Sequence, residues 1–240
     1  MTDFVQKIQK LSLEELIDLA HQKFPLAFEK VSIGQESLEL GQIADLEAYI
    51  DQLAGREEKI VLPFWAKIWP ASILLSYFLD KYLKVDGQKT VLEIGSGLGI
   101  CGLFLAKKGM NVIISDIEPD ALLFIQINIL KNGLENKARV AMVDFTKTKL
   151  TVPADYIIGS EVLYLKESYN NLVEFLKSNL KPNHVSRIFL AQSYTRQPGD
   201  FFALAQKYFD HQVKTIGFKA KDDSGEKFLA NIHQLRLKRV

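Results

Sequence analysis

From Pro63 onward, apolar positions recur alternately at the strand period and at the helix period. Short β-rich runs fall at 90–94, 111–115, 139–143, 156–159, 185–191, 213–218 and 229–237. Between them, helical patterns are predicted over 70–83, 100–108, 119–133, 169–180 and 200–208. Pro70 and Pro119 suit the first position of a helix, and Gly133 suits the end of one. The first 60 residues differ. Ser12-Leu-Glu-Glu15 is a capping-box pattern and predicts a helix over 13–23. Residues 26–33 and 36–43 alternate around Gly34-Gln35 as a hairpin, and Asp45 opens a short amphipathic stretch over 46–53 that ends at Gly55. Repeated strand–helix–strand units imply an α/β fold, a mostly parallel sheet with helices on both faces. The expected division is a small N-terminal α+β cap over 1–62 and a core over 63–240.

Composition narrows the field. The 240 residues carry 30 Lys plus Arg against 29 Asp plus Glu, and 48% are hydrophobic. Disordered chains are poor in apolar residues and high in net charge, so disorder is excluded. The balanced charge argues against a nucleic-acid partner bound through bulk charge. The nearly apolar run over 68–79 contains Pro70 and is too short for a bilayer, which needs about 20 residues. MTDFVQKIQK at the start has no apolar stretch of signal-peptide length. One cysteine, Cys101, makes no intramolecular disulfide and no Cys-rich zinc site, and is expected as a small buried hydrophobe. His21, His184, His211 and His233 have no metal-like spacing. The terminal Arg236-Leu-Lys-Arg239 run reads as solvated. A cytoplasmic protein without membrane, metal or nucleic-acid partner is expected.

The informative stretch is Val91-Leu-Glu-Ile-Gly-Ser-Gly-Leu-Gly-Ile-Cys-Gly102. Gly95, Gly97 and Gly99 follow a predicted strand and lead into a predicted helix, so the backbone can turn sharply and approach a ligand. A dinucleotide fingerprint needs Gly or Ala where Ile100 stands, which disfavours an NAD-linked oxidoreductase. Glu93, just before the turn, would be unwelcome to a pyrophosphate but not to a cationic amino-acid group. Asp116 ends the next predicted strand, where a carboxylate accepts hydrogen bonds from both hydroxyls of a ribose and excludes a 2′-phosphate. Together these residues point to a nucleoside carrying a cationic group.

With this stretch, the sequence resembles the class I, seven-strand methyltransferases that use S-adenosylmethionine, from about Pro63 to the C-terminus. That resemblance implies a Rossmann-like, seven-stranded fold. More narrowly, the chain is similar to the protein lysine methyltransferases that include the enzyme modifying the electron-transfer flavoprotein β-subunit. Pro63-Phe-Trp-Ala-Lys-Ile-Trp-Pro-Ala71 carries the Trp-Pro of that family, and Gly159-Ser-Glu-Val-Leu-Tyr164 stands where the family has Asp-x-x-Tyr. Here the acid is Glu161, one methylene longer.

The resemblance implies a role for each matched position. Trp69, rather than Trp65 four residues earlier, contacts the cofactor, and the Gly95-Ser96-Gly97 turn holds its methionine part. Asp116 binds the ribose. Asp144 and Phe145 lie near the adenine, with Phe145, where the family often has Trp, either stacking on it or serving as plain core. Ser160 lines the cofactor pocket, and Glu161 and Tyr164 face the target nitrogen. The expected reaction is methylation of a protein lysine, leaving S-adenosylhomocysteine. A small amine of the nicotinamide type is the alternative acceptor, and a cofactor-binding module without catalysis is the alternative class. An aromatic ring near a sulfonium fits this chemistry, since a π face attracts a cation.

Overall fold

The computed structural model describes residues 2–55, 62–84, 86–219 and 227–238. Residues 56–61 of the expected cap, and Arg239 of the basic run, lie outside the described residues. The chain opens with helix α1 (Thr2–Ile8), which the sequence pattern had not marked, and helix α2 (Leu13–His21). Ser12 caps α2 reciprocally with Glu15, as its motif predicts. Strands β1 (Leu26–Ile33) and β2 (Glu36–Ile43) form the expected hairpin, and α3 (Leu46–Ala54) follows.

The core continues with α4 (Pro70–Tyr82), β3 (Thr90–Glu93), α5 (Ile100–Lys107), β4 (Asn111–Asp116), α6 (Pro119–Lys131), β5 (Ala138–Met142) and β6 (Tyr156–Ser160). Helix α7 (Tyr169–Asn179), β7 (Arg187–Ser193), α8 (Gly199–Ala205), β8 (Phe209–Lys219) and β9 (Lys227–Leu237) complete it. Seven strands form one sheet in the order β5-β4-β3-β6-β7-β9-β8. All neighbouring pairs from β5 to β7 are parallel, and β9 runs antiparallel to both β7 and β8. The mostly parallel α/β fold is therefore as the sequence implies. Strand β8 starts earlier than expected, because Phe209 already pairs with Leu237, and α8 ends correspondingly early.

Alternation along the strands divides the core. Ile113, Leu92, Ile157, Ile188 and Leu235 face one another in register across five strands and pack with Leu172, Leu176 and Phe201 from α7 and α8. Their neighbours Val91, Val112, Ile158 and Phe189 point to the other face, against α4, α5 and α6. The N-terminal elements share that second cluster: Ile8, Leu16, Leu38 and Leu40 are fully or almost fully buried in it. Among the described residues, no helix is long and apolar enough to cross a membrane.

Two asparagines, Asn128 and Asn132, tie the N-terminal hairpin to the core. Asn128 of α6 is fully buried. Its Oδ1 accepts the Gly41 N–H at 2.6 Å, and its Nδ2 donates to the carbonyls of Gly41 and Leu98 at 3.3 and 3.2 Å. Leu98 belongs to the glycine-rich turn, so hairpin, helix and turn meet at one amide. Asn128→Ala leaves buried backbone groups unpaired and is expected to lower the unfolding free energy by about 1–3 kcal/mol in urea denaturation. A loss under about 0.5 kcal/mol, the range of surface substitutions, would show that water replaces the amide.

Candidate active site

Strand order reverses beside β3, which has β4 on one side and β6 on the other. A crevice opens at such a point, outside the carboxyl ends of the strands. Here it is a cleft of about 1030 Å³. Its floor is the turn after β3, and Asp116, Val143–Phe145 and Ser160–Val162 contribute the ends of β4, β5 and β6. Trp69, Phe64 and Trp65 supply one wall, and Phe24, Tyr49 and Leu53 bring the N-terminal segment to the rim.

The floor is shaped by close backbone approach. Gly97 has φ +55°, and a Cβ there would stand 2.6 Å from the Trp65 carbonyl oxygen. Only glycine satisfies both constraints. The Trp65 ring packs against Phe24 and Phe124 at centroid distances of 5.6 and 5.1 Å, so Trp65 anchors the segment. Trp69 caps α4, and its indole N–H donates to the Phe64 carbonyl at 3.2 Å. Ser96 Oγ, in the turn, is buried without a hydrogen-bond partner.

Asp116 sits on the cleft floor. Its Oδ2 accepts the Gly97 N–H at 2.9 Å, and its Oδ1 accepts those of Ile117 and Glu118 at 2.7 and 3.1 Å. Burial pushes its carboxyl upward, and these three donors oppose the shift. Asp144 bonds within its own loop, accepting Thr146 N–H at 2.8 Å and Thr146 O–H at 2.5 Å, which holds its carboxyl below the ordinary range. Phe145 is partly buried against the α7 face of the core and also lines the cleft.

Glu161 follows β6 directly, with φ +55°, outside the usual range for a side chain of this length. Its backbone N–H donates to Ala191 at 2.9 Å, and its Oε1 accepts the Ser193 N–H at 2.7 Å. Among the described residues, Oε2 is buried without a hydrogen-bond partner, and the nearest cation, Arg196 Nε, stands 3.5 Å away. Burial pushes this carboxyl upward, with Ser193 and Arg196 opposing. Tyr164 stands at the rim, 61% exposed.

The structure thus brings Trp69, Gly95, Ser96, Gly97, Asp116, Asp144, Phe145, Ser160, Glu161 and Tyr164 around one cleft. It sets two expected residues apart. Gly99 caps α5 behind the turn. Glu93 is 2% exposed and points under α5, where its Oε2 accepts the Gly102 N–H at 2.8 Å. A Cβ on Gly102 would meet that oxygen at 2.5 Å. Glu93 thus props the turn from below, through the first turn of α5. Phe64, 63% exposed on the cleft wall, and Arg196, on the turn after β7, were not singled out in the sequence. The rule that ligands lie at carboxyl ends of strands would have flagged Arg196 had it been applied to β7.

A protein-family model described as lysine methyltransferase matches residues 49–208. The chain belongs to the lysine methyltransferase family. The enzyme class read from the sequence stands on this match. An EEF1A lysine methyltransferase 3 of Xenopus tropicalis is 30% identical over 155 residues, covering 62% of this chain and 67% of the relative. The protein N-lysine methyltransferase METTL21A of Danio rerio is also 30% identical over 155 residues, covering 62% and 70%. A calmodulin-lysine N-methyltransferase of Arabidopsis thaliana is 27% identical over 157 residues, covering 62% and 49%. Among solved structures, the fold matches a TehB-like SAM-dependent methyltransferase of Corynebacterium glutamicum (TM-score 0.50, 17% identity, 80% of this chain and 98% of that one). It also matches the YcgJ protein of Bacillus subtilis (TM-score 0.56, 12% identity, 70% and 99%).

Within this methyltransferase, Glu93 gives a pH signature. Burial pushes its carboxyl up to about 8, assisted by the Asp116 charge and opposed by the Gly102 N–H. Above the ordinary carboxylate range and below that value, the folded protein holds a proton that the unfolded chain has released. Stability contributed by this group then falls as pH rises, by about 1.4 kcal/mol per pH unit. Glu93→Gln does not titrate, so its unfolding free energy is expected to fall less steeply than that of wild type between about pH 5.5 and pH 7.5. Parallel urea-derived stability curves would mean that Glu93 is already ionised in the folded protein.

Proposed function

We propose that the protein transfers a methyl group from S-adenosylmethionine to the side-chain nitrogen of a lysine in another protein. The observation that carries this reading is Glu161 Oε2, a buried carboxylate oxygen without a hydrogen-bond donor on the same cleft as the Gly95-Ser96-Gly97 turn and Asp116. Relatives named for lysine methylation of EEF1A and calmodulin support a protein acceptor. None of the relatives above is named for a small amine.

The residues present fit the donor. The unpartnered Ser96 hydroxyl and the exposed Gly95 backbone, both lining the cleft, give polar capacity for its amino-acid part. Asp116 keeps one lone-pair site beyond its three backbone bonds, on Oδ2, for a ribose hydroxyl. Phe145 and Trp69 offer faces to the adenine and to the positive sulfur, and Ser160 and Asp144 close the remaining walls. When bound, the donor supplies an electrophilic methyl group on a sulfonium.

The protein's own work is alignment and proton handling. A lysine nitrogen has to be neutral to attack, whereas its ordinary pKa is near 10.4. Apolar rim residues such as Phe64 and Leu165 disfavour the ammonium as it enters. Glu161 accepts a hydrogen bond from the entering nitrogen and turns its lone pair toward the donor. Its upward-shifted carboxyl makes it a better proton acceptor than an exposed glutamate, so a proton leaving the nitrogen passes to Glu161 or to water. Tyr164 packs beside the aliphatic part of the lysine. Holding two reactants in line is worth roughly 7–11 kcal/mol without further acid–base machinery.

The direct test is incubation with labelled S-adenosylmethionine and a cell lysate. Label is expected as methyl-lysine in the protein fraction. Label only in small molecules, or as methylarginine, would overturn the acceptor. Glu161→Gln separates binding from chemistry. It is expected to bind S-adenosylhomocysteine as wild type does in calorimetry and to lose about 10²–10³-fold in kcat, equivalent to roughly 2.7–4 kcal/mol. Full activity in that variant would remove the carboxylate from the chemistry.

A further inference from the structure

Arg196 extends from the turn after β7, where its N–H donates to the Ser193 carbonyl at 2.9 Å. Its side chain is 44% exposed and reaches into the cleft from the rim. Two contacts define its position. Nε stands 3.5 Å from Glu161 Oε2, and Cζ lies 5.9 Å from the centroid of the Trp69 ring. A carboxylate on one side and an aromatic face on the other are what an ammonium group seeks. Resting on the acceptor role of Glu161 argued above, we propose that the Arg196 guanidinium occupies the acceptor subsite as a stand-in, and that a protein lysine enters by displacing it.

Both contacts are loose, and that is what lets the arm leave. Charge-assisted N–H···O bonds are about 2.7–2.9 Å long, well inside the separation here. Glu161 Oε2 accordingly lacks a hydrogen bond even with Arg196 beside it. A partly exposed ion pair of this kind contributes only about 0.2–1 kcal/mol. An entering lysine nitrogen that reaches hydrogen-bond distance of Oε2 gains a contact that the guanidinium does not make. Because arginine keeps its charge at every working pH, the stand-in opposes all free cations equally. A small ammonium has only Glu161 and Trp69 with which to offset the displacement. A lysine carried on a protein has the exposed rim as well, where Phe64, Ile117, Tyr164 and Leu165 present apolar surface. Arg196 thereby selects protein-borne lysine over free amines.

The test has an arm without donor and an arm with it. In calorimetry without donor, n-butylammonium chloride is expected to bind Arg196→Ala about two- to five-fold more tightly than wild type, the scale of a partly exposed ion pair. Equal or weaker binding would overturn the proposal. In the second arm, Arg196→Lys puts a methyl-accepting nitrogen where the guanidinium sits. After losing its proton to Glu161 or water, the amine's lone pair forms the N–C bond as the methyl–sulfur bond breaks, its electrons going to sulfur to leave a neutral thioether. With labelled S-adenosylmethionine, peptide mass spectrometry is expected to find methylation at position 196, at a rate per molecule independent of protein concentration. No methyl at 196, while wild type methylates lysine in lysate proteins, would sink the stand-in and leave the acceptor reading intact. Failure of wild type on every protein lysine would sink the underlying reading instead.

Discussion

The Trp65 carbonyl oxygen lies so close to Gly97 that no side chain fits between them. That contact joins three parts of the molecule. The Trp65 ring is held between Phe24 of the N-terminal segment and Phe124 of α6, so its backbone has little freedom to retreat. The Gly97 N–H on the other side donates to Asp116 at the end of β4. Asn128 fastens the same turn to the N-terminal hairpin through the Leu98 carbonyl. The cleft floor and its aromatic wall are thus positioned by one another. Because the partners of Trp65 and Gly97 in this frame, Phe24, Leu98, Asp116, Phe124 and Asn128, are buried and close-packed, small displacements are resisted, which suits a reaction that depends on alignment.

Three buried acids converge on this end of the sheet, and their surroundings give them different work. Glu93 is fully enclosed with one N–H donor, and burial drives it toward the protonated form. There it serves the end of α5, whose first turn presents unsatisfied N–H groups. Asp116 has three backbone donors that offset much of its desolvation, so it keeps a strongly accepting character at the cleft floor. Glu161 has one donor for Oε1 and none for Oε2, with a cation standing off at the rim. The first has one donor inside the core, the second has three at the cleft floor, and the third has one on Oε1 and none on Oε2. Acids in such different environments are functional-site candidates, and here burial and donor count set them apart.

Much of this organisation was legible in the chain. The capping box at Ser12, the prolines at 70 and 119, and the period-2 runs located the helices and strands, because each reports a local backbone requirement. The glycine-rich turn and Asp116 were legible for the same reason. Helix α1 was not, because it has only seven residues, its apolar stripe of Phe4, Val5 and Ile8 is too short for periodicity to decide, and its place depends on α6 and β5. The bond of Glu93 to α5 was not legible, because its position in sequence next to the turn does not say on which side its side chain emerges. That depends on Gly102, nine residues on, leaving space beneath α5. Arg196 was hidden for a related reason. Its partners, Glu161 and Trp69, are brought to it only by the pairing of β6 with β7 and by the Pro63–Trp69 segment crossing the turn.

The backbone of Glu161 connects these levels. A left-handed φ is uncommon for any residue but glycine and is best tolerated by Asn and Asp, so the acid that the resembling family carries is the easier one to place there. This chain keeps the longer acid, and strain of that sort, of about 1–3 kcal/mol, persists only where the surroundings over-determine it. Two hydrogen bonds do so. The main-chain N–H completes the ladder to Ala191, which fixes where β6 ends, and Oε1 spans the gap to the Ser193 N–H, a distance suited to the extra methylene. Glycine would relieve the strain and lose the carboxylate, whereas aspartate would relieve it and shorten the reach toward β7. Once both bonds are made, Oε2 is the one acceptor left over, and it is held against the cleft by main chain on both sides. The cost of the unfavourable φ is thus tied to the fixed position of a single unpaired oxygen, opposite the turn that Gly97 and Trp65 hold in place.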